Sequence, residues 1–382
     1  MLNLFRGNHF HNLTLIGRIL GNDIAKNASP LFFNLKNYNL DTKQIDIINI
    51  GFIVISFIVA FKLPFELFIF AYVVLGPLHY LTELNWLEKR NFFVVDRKWV
   101  WLFIFLCLLI SIPAILSLPL FNLIKPKSRT NYFLGILNLS YSKIILFMFL
   151  FAIGLVYINK RQYLFLYFLA CIIASVLLKK YVSFYVIVAG IFLPTIIHVY
   201  LFTLLFMIQG ALHAKSKRAL VGIILLILAP VIIFSTHINP SEYLVTEYAK
   251  SSYLTSKMSR LNSYIAQMID PSANDQFHLF SEIGIKVQIF VAFCYTYHYL
   301  NWFSKTTVIG WGKVLSAKKF ALTIIIWCGS ILLYWYDNKT GFVALFFLSI
   351  VHVVLEFPLN IRSVKGIVSK INFSKKILAS AD

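Results

Sequence analysis

Uncharged apolar runs of about 20 residues, the length needed to cross the hydrocarbon core of a bilayer, recur along most of this chain. Strand-like alternation of apolar and polar residues is absent from them. The composition agrees, since 59% of the 382 residues are hydrophobic and only 13% are charged. The sequence therefore predicts an all-α, polytopic transmembrane helical bundle rather than a soluble domain with an anchor.

Length and hydropathy predict about ten spans. We place them at residues 47–62, 65–87, 99–121, 142–159, 162–178, 181–210, 218–236, 279–303, 318–336 and 340–360. The sixth is long for one crossing and contains Pro194, which predicts a kink or a tilted helix there.

Three parts of the chain follow from this assignment. A polar and basic N-terminal segment, 1–46, holds a short amphipathic stretch at 13–20 that can lie on the membrane surface. The transmembrane domain is 47–360 and includes a long loop at 237–276. A basic tail, 361–382, ends the chain.

The basic residues predict the orientation, because cytoplasmic connections carry an excess of lysine and arginine. With both termini inside (N-in/C-in), the cytoplasmic connections hold Lys89, Arg90, Arg97, Lys98, Lys160, Arg161, Lys215, Lys217, Arg218, Lys305, Lys313, Lys318 and Lys319, and the tail from Arg362 to Lys376. The loop 237–276 is then outside. The same arrangement leaves Lys125, Lys127, Arg129, Lys179 and Lys180 outside as well.

The formal net charge of +20 sits mostly in these short connections. That placement is typical of contacts with anionic membrane lipids, and it gives no reason to infer a nucleic-acid partner. We expect an integral protein of a bacterial inner (cytoplasmic) membrane. The sequence leaves its oligomeric state open.

Histidine and glutamate stand four residues apart twice inside predicted spans, as His79 and Glu83 and as His352 and Glu356. On a helix this spacing places both side chains on one face. Ionisable groups at membrane depth are costly to keep, so they indicate a functional site.

Two further spans carry a histidine, at His198 and His298, and all four spans run the same way in the predicted topology. The histidines lie about 5 to 12 residues, or roughly 8 to 18 Å, from the cytoplasmic ends of their spans. They can therefore share one layer and ligate iron, zinc or copper, whereas magnesium and calcium prefer oxygen ligands. Glu83 and Glu356, one turn closer to the cytoplasm, are candidate catalytic carboxylates.

A simpler interpretation applies to each residue alone. A single histidine in a span is often a hydrogen-bonded core residue, and Glu83 can be an interfacial carboxylate near Trp86. The shared depth and the repeated spacing favour a common metal site over four separate core residues.

Aromatic and amide residues surround the same positions. Tyr295, Tyr299 and Trp302 form either an aromatic belt at the lipid headgroups or a wall that binds a lipophilic substrate. Asn85 and Asn301 each precede a tryptophan, and we predict that they orient the ligand imidazoles by hydrogen bonds.

Two motifs resemble those of the bacterial and archaeal membrane β-carotene dioxygenases related to the bacteriorhodopsin-associated proteins. Gly76-Pro77-Leu78-His79-Tyr80-Leu81-Thr82-Glu83 is similar to the family's Pro-His-Gly helix, and Phe293-Cys294-Tyr295-Thr296-Tyr297-His298 resembles its aromatic-rich histidine helix. The sequence departs from the family at Leu78, at Tyr80 in place of glycine, and at Trp302 in place of a second histidine. The resemblance implies a helical bundle in which histidines on separate helices hold one non-haem ferrous iron that activates dioxygen.

The predicted function is therefore that of an integral membrane metalloenzyme, a non-haem iron oxygenase acting on a carotenoid, isoprenoid or acyl lipid. Fe(II) is the expected cofactor, with zinc and copper as alternatives. Two other functions remain open. One is a proton-coupled transporter that uses the intramembrane histidine and glutamate pairs, and the other is a non-catalytic assembly subunit in which polar residues hold helices together.

Overall fold

The computed structural model describes residues 41–118, 128–182, 188–256, 259–270, 279–305, 310 and 316–379. Within them the chain is helical, with turns but no strands, as predicted. In chain order the helices are α1 (Thr42–Lys62), α2 (Pro64–Lys89), α3 (Lys98–Leu116), α4 (Ser128–Tyr157), α5 (Arg161–Tyr181), α6 (Gly190–Ala214), α7 (Lys217–Ser235), α8 (Glu247–Ser256), α9 (Ser259–Ile269), α10 (Glu282–Ser304), α11 (Ala317–Tyr336) and α12 (Asn338–Ala379).

Nine of the helices in the described ranges are long and apolar enough to cross a membrane: α1 to α7, α11 and α12. The remaining predicted span corresponds to α10, which has 23 residues and is not among the nine. Its length, about 34 Å at 1.5 Å per residue, matches the hydrocarbon core. Ten crossings and the N-in/C-in orientation remain predictions.

Helix α10 is the centre of the bundle. Seventeen of its 23 residues are buried, so it meets protein on every side. By contrast, α5 and α11 are mostly exposed and face the surroundings with apolar side chains. A helix that is enclosed by others can carry polar side chains, because its neighbours rather than lipid surround them.

Two clusters of apolar side chains form the core. The first includes Ile53, Phe68 and Tyr299, and the second includes Phe151 and Trp302. They meet at the C-terminal part of α10, where Tyr299 and Trp302 are less than one turn apart. The polar layer described below lies at this junction.

Wide helical turns occur in the two helices that carry Pro77 and Pro194. In α2 the residues Ala71–Leu75 form a π-helical segment directly before Gly76 and Pro77. A longer π-helical segment, Val188–Phe202, leads into α6, forms its first half and contains Pro194. Proline has no N–H to donate within a helix, and wide turns are one way for a helix to accommodate it. Where the sequence predicts a kink or a tilted helix around Pro194, the structure has a π-helical segment.

Three segments differ in detail from the predicted parts. Helix α1 begins at Thr42, inside the predicted segment 1–46, because Gln44 accepts a hydrogen bond from the N–H of Asp41 and caps the helix. Residues 1–40, with the amphipathic stretch at 13–20, lie outside the described residues. The predicted loop 237–276 contains the short helices α8 and α9.

The predicted tail is continuous with the last span. Helix α12 runs through Pro358 and past residue 360 to Ala379, so that its 42 residues extend about 63 Å. This is about twice the thickness of the hydrocarbon core. The predicted basic tail is therefore helical as far as Ala379.

Close packing of α11 against α12 generates the first prediction. An alanine Cβ at Gly341 would lie 2.2 Å from Cα of Tyr334, whereas one at Gly329 would meet nothing within 4 Å. We expect Gly341→Ala to separate the two helices and to cost roughly 1–3 kcal/mol of stability, as overpacked sites do. Gly329→Ala serves as the matched control. The measurement is thermal unfolding in detergent, and equal midpoints for the two variants would contradict the packing described here.

Candidate metal centre

The four predicted histidines meet in one place. His79 on α2, His198 on α6, His298 on α10 and His352 on α12 are all buried, and one ring nitrogen of each lies within 4.8 Å of the others. Nε2 of His79 is 3.1 Å from Nε2 of His298. Nε2 of His198 is likewise 3.1 Å from Nε2 of His352. The shared layer that the helical depths predict is present.

Hydrogen bonds at the far nitrogens assign two of the tautomers. Nδ1 of His298 is 2.7 Å from Oγ1 of Thr203, and this hydroxyl already donates to the carbonyl of Val199 at 2.9 Å. The hydroxyl must therefore accept from Nδ1–H. His352 donates its Nδ1–H to the carbonyl of Ser349 at 2.6 Å, since a carbonyl only accepts. In both rings Nε2 is left with its lone pair, pointing into the cluster.

Two carboxylates lie beside the histidines. Oε2 of Glu83 is 3.1 Å from Nε2 of His79, and Oε2 of Glu356 is 3.5 Å from Nδ1 of His198. Ligand atoms of Glu83, His352 and Glu356 also lie within 4.8 Å of one another. Both glutamates are at most 3% exposed, so neither is the interfacial carboxylate of the simpler interpretation.

The donor set passes a test of fit to a metal ion. Oε2 of Glu83, Oε2 of Glu356, Nδ1 of His79 and Nδ1 of His198 are buried and have no hydrogen-bond partner among the described residues. Two donors held about 2.1 Å from one ion lie about 3.0 to 3.4 Å apart, in octahedral and tetrahedral arrangements respectively. The two 3.1 Å separations between Nε2 atoms fall within that range. This buried group of histidines and glutamates can hold a metal ion, and its chemistry does not distinguish iron, zinc and copper.

The aromatic residues occupy different positions around the cluster. The ring of Tyr299 lies 5.1 Å from that of His79, and its hydroxyl bonds that of Tyr80 at 2.7 Å. Trp302 lies 5.5 Å from the ring of His79 and donates to Oγ1 of Thr82. Tyr295 packs against Phe68, farther from the histidines. All three are buried, at most 9% exposed, and so do not lie at the lipid-facing surface.

The two asparagines do not contact the imidazoles in the way predicted. Asn85 donates to the carbonyl of Leu81 and faces Thr323, so it turns away from the cluster. Asn301 is buried, and its Oδ1 has no hydrogen-bond partner in the described part of the chain. The contacts predicted for the asparagines are made instead by Thr203 and the Ser349 carbonyl. The Thr203 contact carries no sequence signal, because it depends on how α6 and α10 are rotated against each other, whereas the Ser349 carbonyl lies one turn before His352 on the same helix.

A cavity of about 530 Å³ leads to the cluster. The end of the cavity nearest the histidines, called the inner end, reaches His79, Glu83, His298 and Glu356. Trp302 forms part of the cavity wall. Tyr295 and Tyr299 are not among its lining residues. Its other end, the outer end, lies among the helix ends at Thr42, Ala214, Ala219 and Lys305 and beside Arg362 in the middle of α12. In the predicted orientation this end faces the cytoplasm.

Comparison of the chain with protein-family models, curated proteins and solved structures finds no match. The functional argument therefore depends on the site itself.

We predict that the protein binds metal at this cluster and that a single substitution removes the bound metal. We expect about one transition-metal ion per chain in protein purified from metal-replete cells, and less than a tenth of that in His298→Ala, which removes one of the converging nitrogens. Elemental analysis measures both. The matched control is His237→Ala, because His237 is 86% exposed and pairs with Glu282 away from the cluster. Equal metal content in wild type and His298→Ala would contradict a shared site.

We expect loss of the Thr203 hydroxyl to weaken metal binding less than loss of a histidine. Thr203→Val removes the acceptor that fixes the His298 tautomer, and losses of this kind weaken metal affinity roughly 10–100-fold. The affinity is measured by competition with a chelator of known strength. Thr296→Val is the matched control, since Thr296 is buried on α10 and its hydroxyl has no hydrogen-bond partner among the described residues. Equal losses in the two variants would mean that Thr203 does not act through His298.

Proposed function

We propose that this protein is a non-haem iron oxygenase of the membrane that acts on a lipophilic substrate. The observation that carries the proposal is the convergence of four buried histidines and two buried glutamates at the inner end of a cavity. Intramembrane ionisable groups mark functional sites, and this set is the kind that binds transition metals.

Each histidine has a defined part in this proposal. His79, His198, His298 and His352 would hold the ion through nitrogens that already face one another. The Thr203 hydroxyl and the Ser349 carbonyl keep two of these rings in the tautomer that presents Nε2. Ferrous iron supplies the one-electron chemistry that lets dioxygen react with a lipid.

The two glutamates differ in their proposed parts. Glu83 approaches the same nitrogen of His79 that faces His298, so its carboxylate is a further candidate ligand. Glu356 faces the other nitrogen of His198 and would orient that ring from behind. Together the two carboxylates balance the charge of a divalent ion in a low-dielectric interior.

The cavity supports an enzyme more than a transporter. Its lining residues lie at the level of the histidines or on one side of them, whereas a transporter alternates access to both sides. Trp302 and the apolar residues of the wall, such as Phe206 and Leu359, would bind a hydrocarbon chain and exclude water.

A proton-coupled transporter is the second candidate. It is favoured by the buried oxygens of Glu83 and Glu356 that lack hydrogen-bond partners among the described residues, because such carboxylates can take up protons. The kinship with the β-carotene dioxygenases is likewise a proposal, and it is supported by the presence of both resembling motifs, around His79 and His298, at the cluster.

Oxygen uptake tests the oxygenase. We expect iron-loaded protein in detergent, supplied with a reductant, to consume dioxygen with at least one of three lipids: β-carotene, farnesol or oleic acid. His298→Ala should lower this rate at least a hundredfold, and His237→Ala should leave it unchanged. Iron-loaded protein that consumes no oxygen with any of the three, together with proton flux in liposomes that His298→Ala abolishes, would favour the transporter instead.

A further inference from the structure

The outer end of the cavity combines positive charge with apolar walls. Lys305 follows the last residue of α10 and lines the cavity, and Arg362 lines it from α12. Lys305 is only partly exposed and makes no ion pair with any residue that the structure describes. A partly buried ammonium that makes no direct ion pair is unfavourable, so this position is suited to binding an anion.

The nearby polar groups offset this charge only in part. Asp46 also lines the cavity, and its negative charge acts on Lys305, but its carboxylate accepts a hydrogen bond from Ser216 and makes no direct ion pair with Lys305. Nδ1 of His213, another lining residue, bonds the carbonyl of Gln209 at 2.7 Å. The guanidinium of Arg362 lies 5.5 Å from the ring centroid of Phe93 and stays exposed. Two cations and one carboxylate leave a net positive charge at the outer end.

Between the two ends the wall is apolar. Ile45, Phe206, Met207 and Leu359 line it, together with Gly210, where a Cβ would meet nothing within 4 Å. Lys305 is seven residues beyond His298 on α10, or about 10 Å along the helix axis. The volume of about 530 Å³ lies in the ordinary range of small-molecule sites.

We propose that the cavity binds a single-chain amphiphile with a carboxylate head group. Lys305 and Arg362 bind the carboxylate at the outer end, and the hydrocarbon chain extends along the apolar wall to His79 and His298. This inference rests on the proposed function, because it names the class of lipid that the oxygenase takes. It also predicts a fixed position of attack, since the head group is held at one end of the cavity and the histidines lie at the other.

Equilibrium binding to the purified full-length protein in detergent tests the proposal. Radiolabelled oleate is the probe, and unlabelled oleate, oleyl alcohol and acetate are the competitors. We expect oleate to compete at least tenfold more strongly than oleyl alcohol, because tenfold in affinity corresponds to about one hydrogen bond to a charged group. Acetate should compete weakly because it has no hydrocarbon chain.

Charge-removing variants locate the head group. Lys305→Gln and Arg362→Gln should each reduce the preference for oleate to about threefold or less. Lys365→Gln is the matched control, because Lys365 lies on α12 beyond Arg362, is exposed, and is not among the lining residues. Equal binding of oleate and oleyl alcohol by the wild type would overturn the proposal without any variant. An equal loss in Lys365→Gln would also overturn it, since the effect would then be one of general surface charge.

Metal content, measured on the same preparations, separates the two hypotheses. Metal-loaded protein that does not distinguish oleate from oleyl alcohol would overturn the carboxylate site and leave the oxygenase standing. Protein that holds no transition metal but prefers oleate in the way described would overturn the oxygenase and support the carboxylate site.

Discussion

Imidazole nitrogens that converge in one buried place must each be given a partner, and this requirement is the constraint on which the structure depends. The Nδ1 atoms of His298 and His352 are hydrogen-bonded, so their Nε2 lone pairs face the cluster and lie 3.1 Å from Nε2 of His79 and His198, respectively. An N–H of His79 or His198 can satisfy such a lone pair, and a bound cation can take its place by accepting the lone pairs of all four rings. The cation would also balance the charges of Glu83 and Glu356. The helix bundle thus serves to hold four histidines and two glutamates in one buried group.

The placement of α10 follows from the same constraint. It is not among the nine candidate spans of the described chain, and Gln288, His298 and Asn301 are among its buried residues. In lipid the apolar faces of helices can point outward at no cost, whereas buried polar side chains must be enclosed by protein. A helix with polar side chains along its length is therefore the one that forms the centre and carries His298.

Sequence periodicity predicts what lies on one helix and at what depth, and it does so well here. The spacing of His79 from Glu83 and the depth of the four histidines both correspond to the cluster that forms. It does not predict how each helix is rotated about its axis. Asn85 turns toward Thr323, and Thr203, which belongs to no motif, reaches His298, because packing between helices sets these rotations. The continuation of α12 past the membrane was missed because hydropathy reports where apolar residues end and not where the helix ends.

The order of charges along the cavity gives the proposed substrate a direction. Glu83 and Glu356 stand at the inner end, beside the histidines, and Lys305 and Arg362 stand at the outer end. In the proposed site the first pair is balanced by the divalent ion, whereas the second pair attracts an anionic head group, so the attraction at the outer end sets the direction. A carboxylic acid would therefore enter chain first and keep its head away from the metal ligands. Carbon atoms of the chain, rather than the head group itself, would then lie against the reactive centre.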